Sequence, residues 1–501
     1  MPVFRRVLVA NRGEIALRVI RACHEEGLEA VAVFSEADRL SPHVRAADCA
    51  VPIGPPAPAE SYLRIEGLLA AARSSGAEAV HPGYGFLAER AAFAKAVTDA
   101  GLTFIGPPAE AITAMGDKTE ARRRMQAAGV PIVPGLTLPV SDARAAAEAA
   151  ERIGYPVLVK AAAGGGGKGM RMVERARDLE AALATAASEA RKAFGDASVY
   201  LEKYIERPRH VEIQVLADDH RTVHLGEREC SIQRRHQKLV EEAPSPAVSA
   251  ELRERMGQAA VSAASAVGYR GAGTCEFLLS GDGSFYFLEM NTRIQVEHPV
   301  TELVYGVDLV REQLRIAQGL PMRLADRPLT PRGWSLECRI TSEDPANGFL
   351  PATGRVEHFR PPSGPGVRWD GGIEVGNEVT LFYDSLLGKV IVWAPDREAA
   401  IHRMRRALGE LVITGVATNQ AFHLRLLDDP DFQASRIDSQ FLDRRPDLLA
   451  PVRDEARLRA LAVAAALAED EARQTRRPLV AEDSAGHSRW LDAGRVEGRR
   501  S

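Results

Sequence analysis

The chain has 501 residues, enough for about three domains that each bury a core of their own. Charged residues make up 26% of it and the net charge is −4, so no overall field favours binding to nucleic acid or to an anionic membrane. No apolar run reaches the roughly 18 residues of a membrane helix, and the N-terminus lacks the apolar segment of a signal peptide. The five cysteines are scattered without metal-ligand spacing, so we expect reduced thiols and a cytoplasmic location.

The N-terminal part of the chain alternates strands and helices at short spacing. Residues 6–10 read as a buried strand, residues 14–26 as an amphipathic helix that ends at Gly27, and residues 29–34 as the next strand. This alternation predicts a parallel α/β sheet. The turn after the first strand lacks the glycine triplet of a dinucleotide site, which disfavours a nicotinamide or flavin cofactor. The loop HPGYGF at 81–86 follows a short strand and is either a ligand-binding loop or a plain connection.

A second unit begins near Asp117, and its centre is a glycine-rich loop. Residues 155–160 and 170–173 read as strands joined by residues 161–169, which contain four consecutive glycines and a lysine. A P-loop would open a helix and carry Ser or Thr after its lysine, so this loop is of another kind. Its bare N–H groups could close over a polyphosphate as a lid, although a flexible hairpin tip has the same composition.

Two later segments concentrate charge. QRRHQK at 233–238 precedes two glutamates, a density that suits anionic substrates, although a solvated charged face is the more ordinary interpretation.

Residues 274–291 predict a β-hairpin, and antiparallel counting from its loop pairs Leu278 with Phe287 and Glu276 with Glu289. Two opposed carboxylates repel, and with Asn291 on the same face they form a set of oxygen ligands that suits Mg²⁺ or Mn²⁺. A solvent-exposed acidic edge is the alternative.

The third unit opens near Trp334 and alternates strand-like runs with Pro/Gly turns, which predicts a mainly β fold with closing helices. Arg339 lies in an alternating strand, so its guanidinium can face either a cavity or solvent. An Ala/Arg-rich helix is expected over residues 458–473, followed by a polar tail. We have no functional interpretation of the segment 447–501.

The run EMNTRIQVEHP at 289–299 resembles the signature of the biotin carboxylase family, within the ATP-grasp superfamily. The family's other motifs occur in its order, so the likeness covers about residues 3 to 445: NRGEIA at 11–16, HPGYGF at 81–86, GGGGKGM at 164–170, QRRHQK at 233–238 and ECRI at 337–340. The resemblance implies an α/β and α+β fold with three parts: a Rossmann-like (pre-ATP-grasp) domain at 1–115, an ATP-grasp domain at 116–333 with its glycine-rich lid at about 132–204, and a mainly β domain at 334–446.

The resemblance also implies roles for individual residues. The catalytic residues would be Lys238, Arg293, Arg339 and Glu297, with Glu297 as the general base. Bicarbonate would be bound by Lys238, Arg293, Gln295 and Val296, biotin by Arg339 and Tyr84, and the metal by Glu276, Glu289 and Asn291. The ATP site would consist of Lys118, Lys160, Gly165, Gly166, Gly167, Lys168, Glu202, Lys203, Tyr204, Ile205, His210, Gln233, His236, Glu276 and Glu289.

The implied reaction is ATP- and bicarbonate-dependent carboxylation of biotin through carboxyphosphate, with Mg²⁺ or Mn²⁺. None of the nine methionines is followed by lysine, so we find no biotinylation site and expect a separate biotin carboxyl carrier protein and a separate carboxyltransferase subunit. The acceptor could be acetyl-CoA, another acyl-CoA or pyruvate, and the family resemblance suggests a homodimer. Two alternatives are another ATP-grasp ligase, which would attack the acyl phosphate with an amine or thiol, and a catalytically silent ATP-binding subunit.

Overall fold

A computed structural model describes residues 4–136, 140, 142–161, 170–194, 197–324, 329–450 and 455–475. The chain divides into two compact units, residues 1–449 and residues 450–501. The predicted glycine-loop positions Gly165, Gly166, Gly167 and Lys168 lie outside the described residues.

The N-terminal part of the first unit is a parallel α/β layer. Its elements are β1 (Arg6–Val9), α1 (Gly13–Glu25), β2 (Glu29–Ser35), α2 (Pro42–Ala46), β3 (Cys49–Gly54), α3 (Ile65–Ser75), β4 (Ala79–His81), α4 (Ala91–Asp99), β5 (Thr103–Phe104) and α5 (Ala109–Gly116). The five strands form one sheet in the order β3-β2-β1-β4-β5, and each adjacent pair is parallel. The predicted parallel sheet is therefore confirmed. Gly27, where the first helix was expected to stop, has a φ of 70°, which suits glycine.

The segment predicted as a lid has a small core of its own. Its elements, with the helix that precedes it, are α6 (Lys118–Ala127), α7 (Ala143–Ile153), β6 (Val157–Ala161), β7 (Arg171–Val173), α8 (Leu179–Phe194) and β8 (Val199–Lys203). The strands pair antiparallel in the order β7-β6-β8. Val157, Val159 and Leu201 on the strands pack against Ala146 and Ala150 of α7, so apolar burial holds this layer together.

An eight-stranded antiparallel sheet dominates the rest of the first unit. The elements between residues 209 and 317 are β9 (Arg209–Ala217), β10 (Thr222–Arg234), β11 (Gln237–Ala243), α9 (Ala250–Ser265), β12 (Gly271–Leu279), β13 (Phe285–Asn291), α10 (His298–Tyr305) and α11 (Leu309–Ala317). Those after residue 333 are β14 (Trp334–Thr341), β15 (Glu343–Asp344), β16 (Leu350–Pro351), β17 (Gly354–Arg355), β18 (His358–Arg360), β19 (Val367–Gly371), β20 (Glu378–Val379), β21 (Leu386–Ala394), α12 (Arg397–Glu410), β22 (Val412–Thr414), α13 (Gln420–Asp428), α14 (Pro430–Gln433) and α15 (Pro446–Leu449). The order is β13-β12-β9-β10-β11-β14-β21-β19, so the sheet runs without a break from the second predicted domain into the third through the β11–β14 pair.

The β12–β13 hairpin pairs Glu276 with Glu289, as the sequence predicted. Nearer the loop the prediction is wrong, because Leu278 pairs with Tyr286 and Phe287 pairs with its neighbour on β12. A β-bulge after Glu276 inserts one extra residue into the second strand and accounts for the difference of one position. The two glutamates therefore face each other only because the bulge corrects the register that the loop sets.

The second unit contains helix α16 (Glu455–Thr475), which extends the predicted helix by a few residues at each end. Among the described residues, no helix is both long and apolar enough to cross a membrane. All five cysteines are free, as expected.

Candidate active site

Lys238, on β11, lies at the centre of a cluster of carboxylates. Its ammonium donates to Glu276 at 2.8 Å and to Glu297 at 2.7 Å, and it also contacts Glu212. The side chain is 11% exposed, so one cation serves three carboxylates in a nearly closed space. Gln233, predicted to bind ATP, is the direct cross-strand neighbour of Lys238 on β10. The β10–β11 hairpin therefore brings one predicted nucleotide contact and the predicted bicarbonate lysine to one place.

Glu297 lies between two cations at the start of α10. One carboxylate oxygen accepts from Lys238 at 2.7 Å, and the other accepts from Arg339 at 2.9 Å. Burial alone would raise the pKa of Glu297, but the nearby charges of Lys238 and Arg339 outweigh it and hold the pKa well below its usual range. The carboxylate is therefore ionised at neutral pH and able to accept a proton.

Arg339 contacts the second carboxylate oxygen of Glu297. It projects from β14, and its Nε donates to Glu241 of β11 at 2.6 Å. Burial, partly opposed by Arg339, raises the pKa of Glu241 to about 7. The backbone carbonyl of Arg339 accepts from Asn419 at 2.9 Å and lies 2.7 Å from Nε2 of His423, both on or beside α13. Arg339 is thus held at both its backbone and its side chain, which limits the freedom of its guanidinium to turn away from Glu297.

Tyr84, the second predicted biotin contact, comes from the N-terminal layer. Its hydroxyl donates to Glu14 of α1. Burial and the charge of Glu14 raise the pKa of Tyr84 well above its usual range, while the charge of Arg339 acts in the opposite direction. Tyr84 and Arg339 are therefore close enough to influence each other, as their common predicted role requires.

The irregular segment 292–297 carries the predicted bicarbonate residues. Arg293 donates to Asn291 at 2.9 Å and to Glu89 at 3.0 Å. Gln295 donates to Glu276 at 2.8 Å, which links this segment to the hairpin. The carbonyl of Val296 accepts from Lys389, a residue that the sequence did not single out. The segment is therefore fastened to three different elements, although it belongs to no strand itself.

Arg228 is a residue beside the site that the sequence analysis did not single out. Its side chain is fully buried on β10 and donates to five acceptors at 2.5–3.1 Å, namely Glu212, Gln214, Thr274, Gln295 and Thr301. It fixes Glu212 and Gln295, which in turn contact Lys238 and Glu276. The alternation of polar and apolar residues in β9, with Glu212 and Gln214 facing one side, was a signal that could have found it.

The predicted metal ligands come together in part. Glu276 and Asn291 are hydrogen-bonded to each other at 2.9 Å, and the paired register places Glu289 beside Glu276. Burial and the charge of Glu276 raise the pKa of Glu289. Burial would also raise the pKa of Glu276, but the positive charges of Lys238 and His210 outweigh it and lower that pKa. A cation between these carboxylates would relieve their repulsion, and the donors are the hard oxygens that Mg²⁺ and Mn²⁺ take, so the residues fit such an ion.

Other sets of metal-ligating groups lie nearby. Among the described residues, two groups of three bring their ligand atoms within 4.8 Å of one another: His210, Glu212 and Glu276, and Glu212, Cys230 and Glu297. Both groups contain Glu212, whose oxygens are occupied by Arg228 and Lys238. Two cations of the protein therefore already neutralise Glu212. The pair Glu276 and Glu289 remains the better candidate.

The predicted nucleotide hinge lies at the end of β8. Glu202 accepts from Lys160 at 2.5 Å and from Arg122 at 2.6 Å. Two predicted ATP contacts, Glu202 and Lys160, therefore meet in one ion-pair cluster. A cleft of about 370 Å³ lies beside Tyr204 and is lined by Tyr155, Pro156, Met172, Glu174, Glu206, Arg207 and Gln440, so among the described residues Tyr204 is the one predicted ATP contact that borders it. Lys203 donates instead to the carbonyls of Gly154 and Tyr155, and Ile205 is half-buried.

The remaining predicted ATP contacts differ in how close they lie to the cluster. His210 has its Nε2 atom 2.9 Å from Glu276, and the charge of Lys118, the first residue of α6, acts on Glu289. His236 is exposed in the turn between β10 and β11, where it and Arg235 have φ values of 67° and 50°. Non-glycine residues in this conformation are strained, which is a common feature of functional turns. The structure does not bring His236 into contact with the carboxylate cluster.

Three family models cover almost all of the first unit. They are "Biotin carboxylase, N-terminal domain" at residues 3–112, "Carbamoyl-phosphate synthase L chain, ATP binding domain" at 117–325, and "Biotin carboxylase C-terminal domain" at 337–444. The chain belongs to the biotin carboxylase family. It therefore has the family's three-domain architecture and its activity, the ATP-dependent carboxylation of biotin, as the sequence predicted.

Similar proteins come from both bacteria and archaea. The chain is 54% identical over 440 residues to a biotin carboxylase of a Nostoc species, covering 88% of this chain and 98% of that protein. It is 52% identical over 442 residues to one of the pyruvate carboxylase subunits of Methanothermobacter thermautotrophicus, covering 88% of this chain and 90% of that protein. Among solved structures, the biotin carboxylase domain of a thermophilic 2-oxoglutarate carboxylase bound to bicarbonate matches with a TM-score of 0.86 and 46% identity, over 90% of this chain and all of that one.

Proposed function

We propose that the Lys238–Glu297–Arg339 cluster carries both steps of biotin carboxylation. Bicarbonate would bind between Lys238, Arg293 and the backbone N–H of Val296, next to the Glu297 carboxylate. As a bicarbonate oxygen attacks the γ-phosphorus of ATP, Glu297 would take the bicarbonate proton and ADP would leave, giving carboxyphosphate. Because the pKa of Glu297 is low, its carboxylate is a weak base, and we expect proton transfer to follow P–O bond formation, which makes the hydroxyl more acidic.

The phosphates of ATP need cations on several sides. Lys118, Lys160 and His236 are candidates for contacting them, with the loop at 164–170 closing over the nucleotide. Glu276, Glu289 and Asn291 would hold Mg²⁺ or Mn²⁺, which when bound neutralises charge that develops on the transferred phosphoryl group. Glu202, Lys203, Tyr204 and Ile205 would bind the adenosine part, and the contact of Glu202 with Lys160, a predicted phosphate contact, supports this placement.

Arg339 and Tyr84 would act on biotin. When carboxyphosphate transfers its carboxyl group, inorganic phosphate leaves and would take the proton of the attacking ureido nitrogen, while negative charge develops on the ureido oxygen. A guanidinium beside that oxygen stabilises a charge that exists only near the transition state. The contact of Arg339 with both Glu297 and Glu241 supports this role, because it fixes the guanidinium before biotin arrives.

The biotin would be carried on a separate carrier protein, and a separate carboxyltransferase would use the product in the cytoplasm. Acetyl-CoA or another acyl-CoA is our preferred acceptor, with pyruvate as a second candidate, since relatives include both biotin carboxylases and part of a pyruvate carboxylase. A homodimer is proposed because a related biotin carboxylase domain from Hydrogenobacter thermophilus is described as a dimer.

The observation that carries this proposal is the position of Glu297, held at 2.7 Å by Lys238 and at 2.9 Å by Arg339. The test is ADP release by the purified protein with Mg²⁺ and bicarbonate, with and without free biotin. We expect an increase that requires both bicarbonate and biotin. Turnover without a biotin response, even when a biotinylated carrier domain replaces free biotin, would point to a different nucleophile and contradict the role of Arg339.

A further inference from the structure

Lys389 is a fully buried lysine at the centre of β21. Its side chain has no exposed surface, which lysine tolerates only when its ammonium is well paired. The ammonium donates to the backbone carbonyl of Val296 and lies 3.3 Å from a carboxylate oxygen of Glu14. Three segments that are distant in the sequence therefore meet at one charged atom.

The sheet register explains why the ammonium points to this place. Lys389 lies directly across from Arg339 on β14 and from Asp370 on β19, so all three side chains leave the same face of the sheet. Asp370 is already held by both ends of the Arg368 guanidinium, at 2.6 and 2.8 Å. Glu14 and the Val296 carbonyl are therefore the acceptors that Lys389 contacts.

The Val296 carbonyl belongs to the peptide that joins Val296 to Glu297. This peptide lies in an irregular segment, where no strand partner fixes the direction of the backbone groups. A hydrogen bond to the carbonyl fixes the plane of the peptide. The plane in turn determines the position of the Glu297 Cα atom and the direction in which its side chain leaves the backbone. A general base works only within hydrogen-bonding reach of the proton it takes, so small rotations of this peptide matter.

We propose that Lys389 is a positioning residue for the bicarbonate step: it holds the Val296–Glu297 peptide so that the Glu297 carboxylate faces bicarbonate. This inference rests on the proposed function of that segment. Glu14 supports it, because its carboxylate compensates the buried ammonium and also accepts from Tyr84. The same ion pair thus connects the bicarbonate segment to the N-terminal layer that carries a predicted biotin contact.

The direct test is Lys389→Met, which keeps the length of the side chain but removes its charge and its donors. We expect kcat/KM for bicarbonate to fall about ten- to a hundredfold, the range expected when a charged hydrogen bond is lost. The KM for ATP should change less than about twofold, because no nucleotide contact depends on this peptide. The assay is bicarbonate-dependent ADP release, measured without biotin so that any effect through Tyr84 does not enter.

A second variant separates positioning from folding. Lys389→Met strands the Glu14 carboxylate, whereas Lys389→Met combined with Glu14→Gln removes the whole ion pair and keeps an acceptor for Tyr84. Replacing both partners of a buried pair costs far less stability than removing one of them. We expect the double variant to recover thermal stability but to keep the bicarbonate defect.

Arg253→Met is the matched control. Arg253 on α9 pairs with Glu227 on β10, so this variant also takes the cation away from a fully buried carboxylate. It should lower stability and leave kcat/KM for bicarbonate unchanged. The inference is overturned if the double variant regains wild-type kcat/KM for bicarbonate, if Arg253→Met shows the same defect, or if the double variant does not fold. Absence of bicarbonate-dependent ADP release in the wild-type protein would instead overturn the proposed function, so the two failures are distinguishable.

Discussion

Glu297→Gln is the most informative single change in the active site. The variant keeps the shape of the side chain but cannot accept the bicarbonate proton. General bases contribute about 10²- to 10⁴-fold to rate, so we expect bicarbonate-dependent ADP release to fall by that factor, equivalent to about 3 to 5 kcal/mol of activation free energy. The loss should appear in kcat, because bicarbonate loses its proton only after both substrates are bound and the P–O bond has begun to form.

The structure also predicts what Glu297→Gln leaves intact. Lys238 keeps its contacts with Glu212 and Glu276, and Arg339 keeps Glu241, so neither cation is left unpaired. We therefore expect the free energy of unfolding to fall by only about 1 to 3 kcal/mol, and the Kd for ATP to change less than about threefold.

The assays are coupled ADP release, urea unfolding and calorimetric titration with ATP. Glu410→Gln, which removes an exposed carboxylate paired with Arg406 at 2.7 Å on α12, is the control and should match the wild-type protein in all three. Turnover by Glu297→Gln within about threefold of wild type would show that the base lies elsewhere. Loss of ATP binding would show that the substitution disturbs the nucleotide site, and the rate could not then be assigned to proton transfer.

Three further predictions concern neighbouring residues. Arg228→Met should lower the free energy of unfolding by about 3 to 5 kcal/mol in urea titrations, since five buried acceptors lose their donor and Glu212 keeps only Lys238 as a cation; a loss below about 1 kcal/mol would contradict its role as a brace. Arg339→Met should keep bicarbonate-dependent ADP release without biotin and lose its increase with biotin; an undiminished biotin response would remove Arg339 from the second step. Burial raises the pKa of Glu241 to about 7 from a usual value near 4.3, so the folded protein binds more protons than the unfolded chain between about pH 4.3 and 7, and this group's contribution to stability falls as pH rises through that window. Glu241→Gln should flatten the decline in urea midpoint between pH 5 and 8, and an unchanged slope would assign the titration to another group.

The residues proposed as catalytic could be singled out from the sequence because they lie in compact motifs that resemble those of the biotin carboxylase family. Glu297, Arg293 and Gln295 are close together in one polar run and Lys238 ends another, and the resemblance assigned their roles, because charge density alone is also typical of a solvated face. The hairpin also predicted the facing pair Glu276 and Glu289, although its detailed register was wrong beyond the bulge. Short-range rules predicted the hairpin, because alternation and turn geometry depend on neighbouring residues, but they did not predict the bulge that sets its final register.

The residues that hold the site in place could not be found in this way. Lys389 is the one charged residue of β21, and Arg228 lies between Glu227 and Glu229 in β10, so neither residue's own strand distinguishes it from an ordinary solvent-facing charge. Their importance follows from strand order, which places Lys389 beside Arg339 and directs Arg228 towards Glu212 and Gln295. Strand order is set by long-range packing, which no local pattern contains.

The sequence alone therefore determined the parallel N-terminal layer, the family and the residues expected to touch ATP, bicarbonate and biotin, because each depends on residues that are close in the chain. Only the tertiary structure decided how these groups are charged and held. It joined β11 to β14 in one sheet, which places Glu241 and Arg339 side by side, and it buried Lys389 against the Val296 carbonyl. Burial and the proximity of opposite charges are properties of the packed fold, and they keep Glu297 ionised between Lys238 and Arg339.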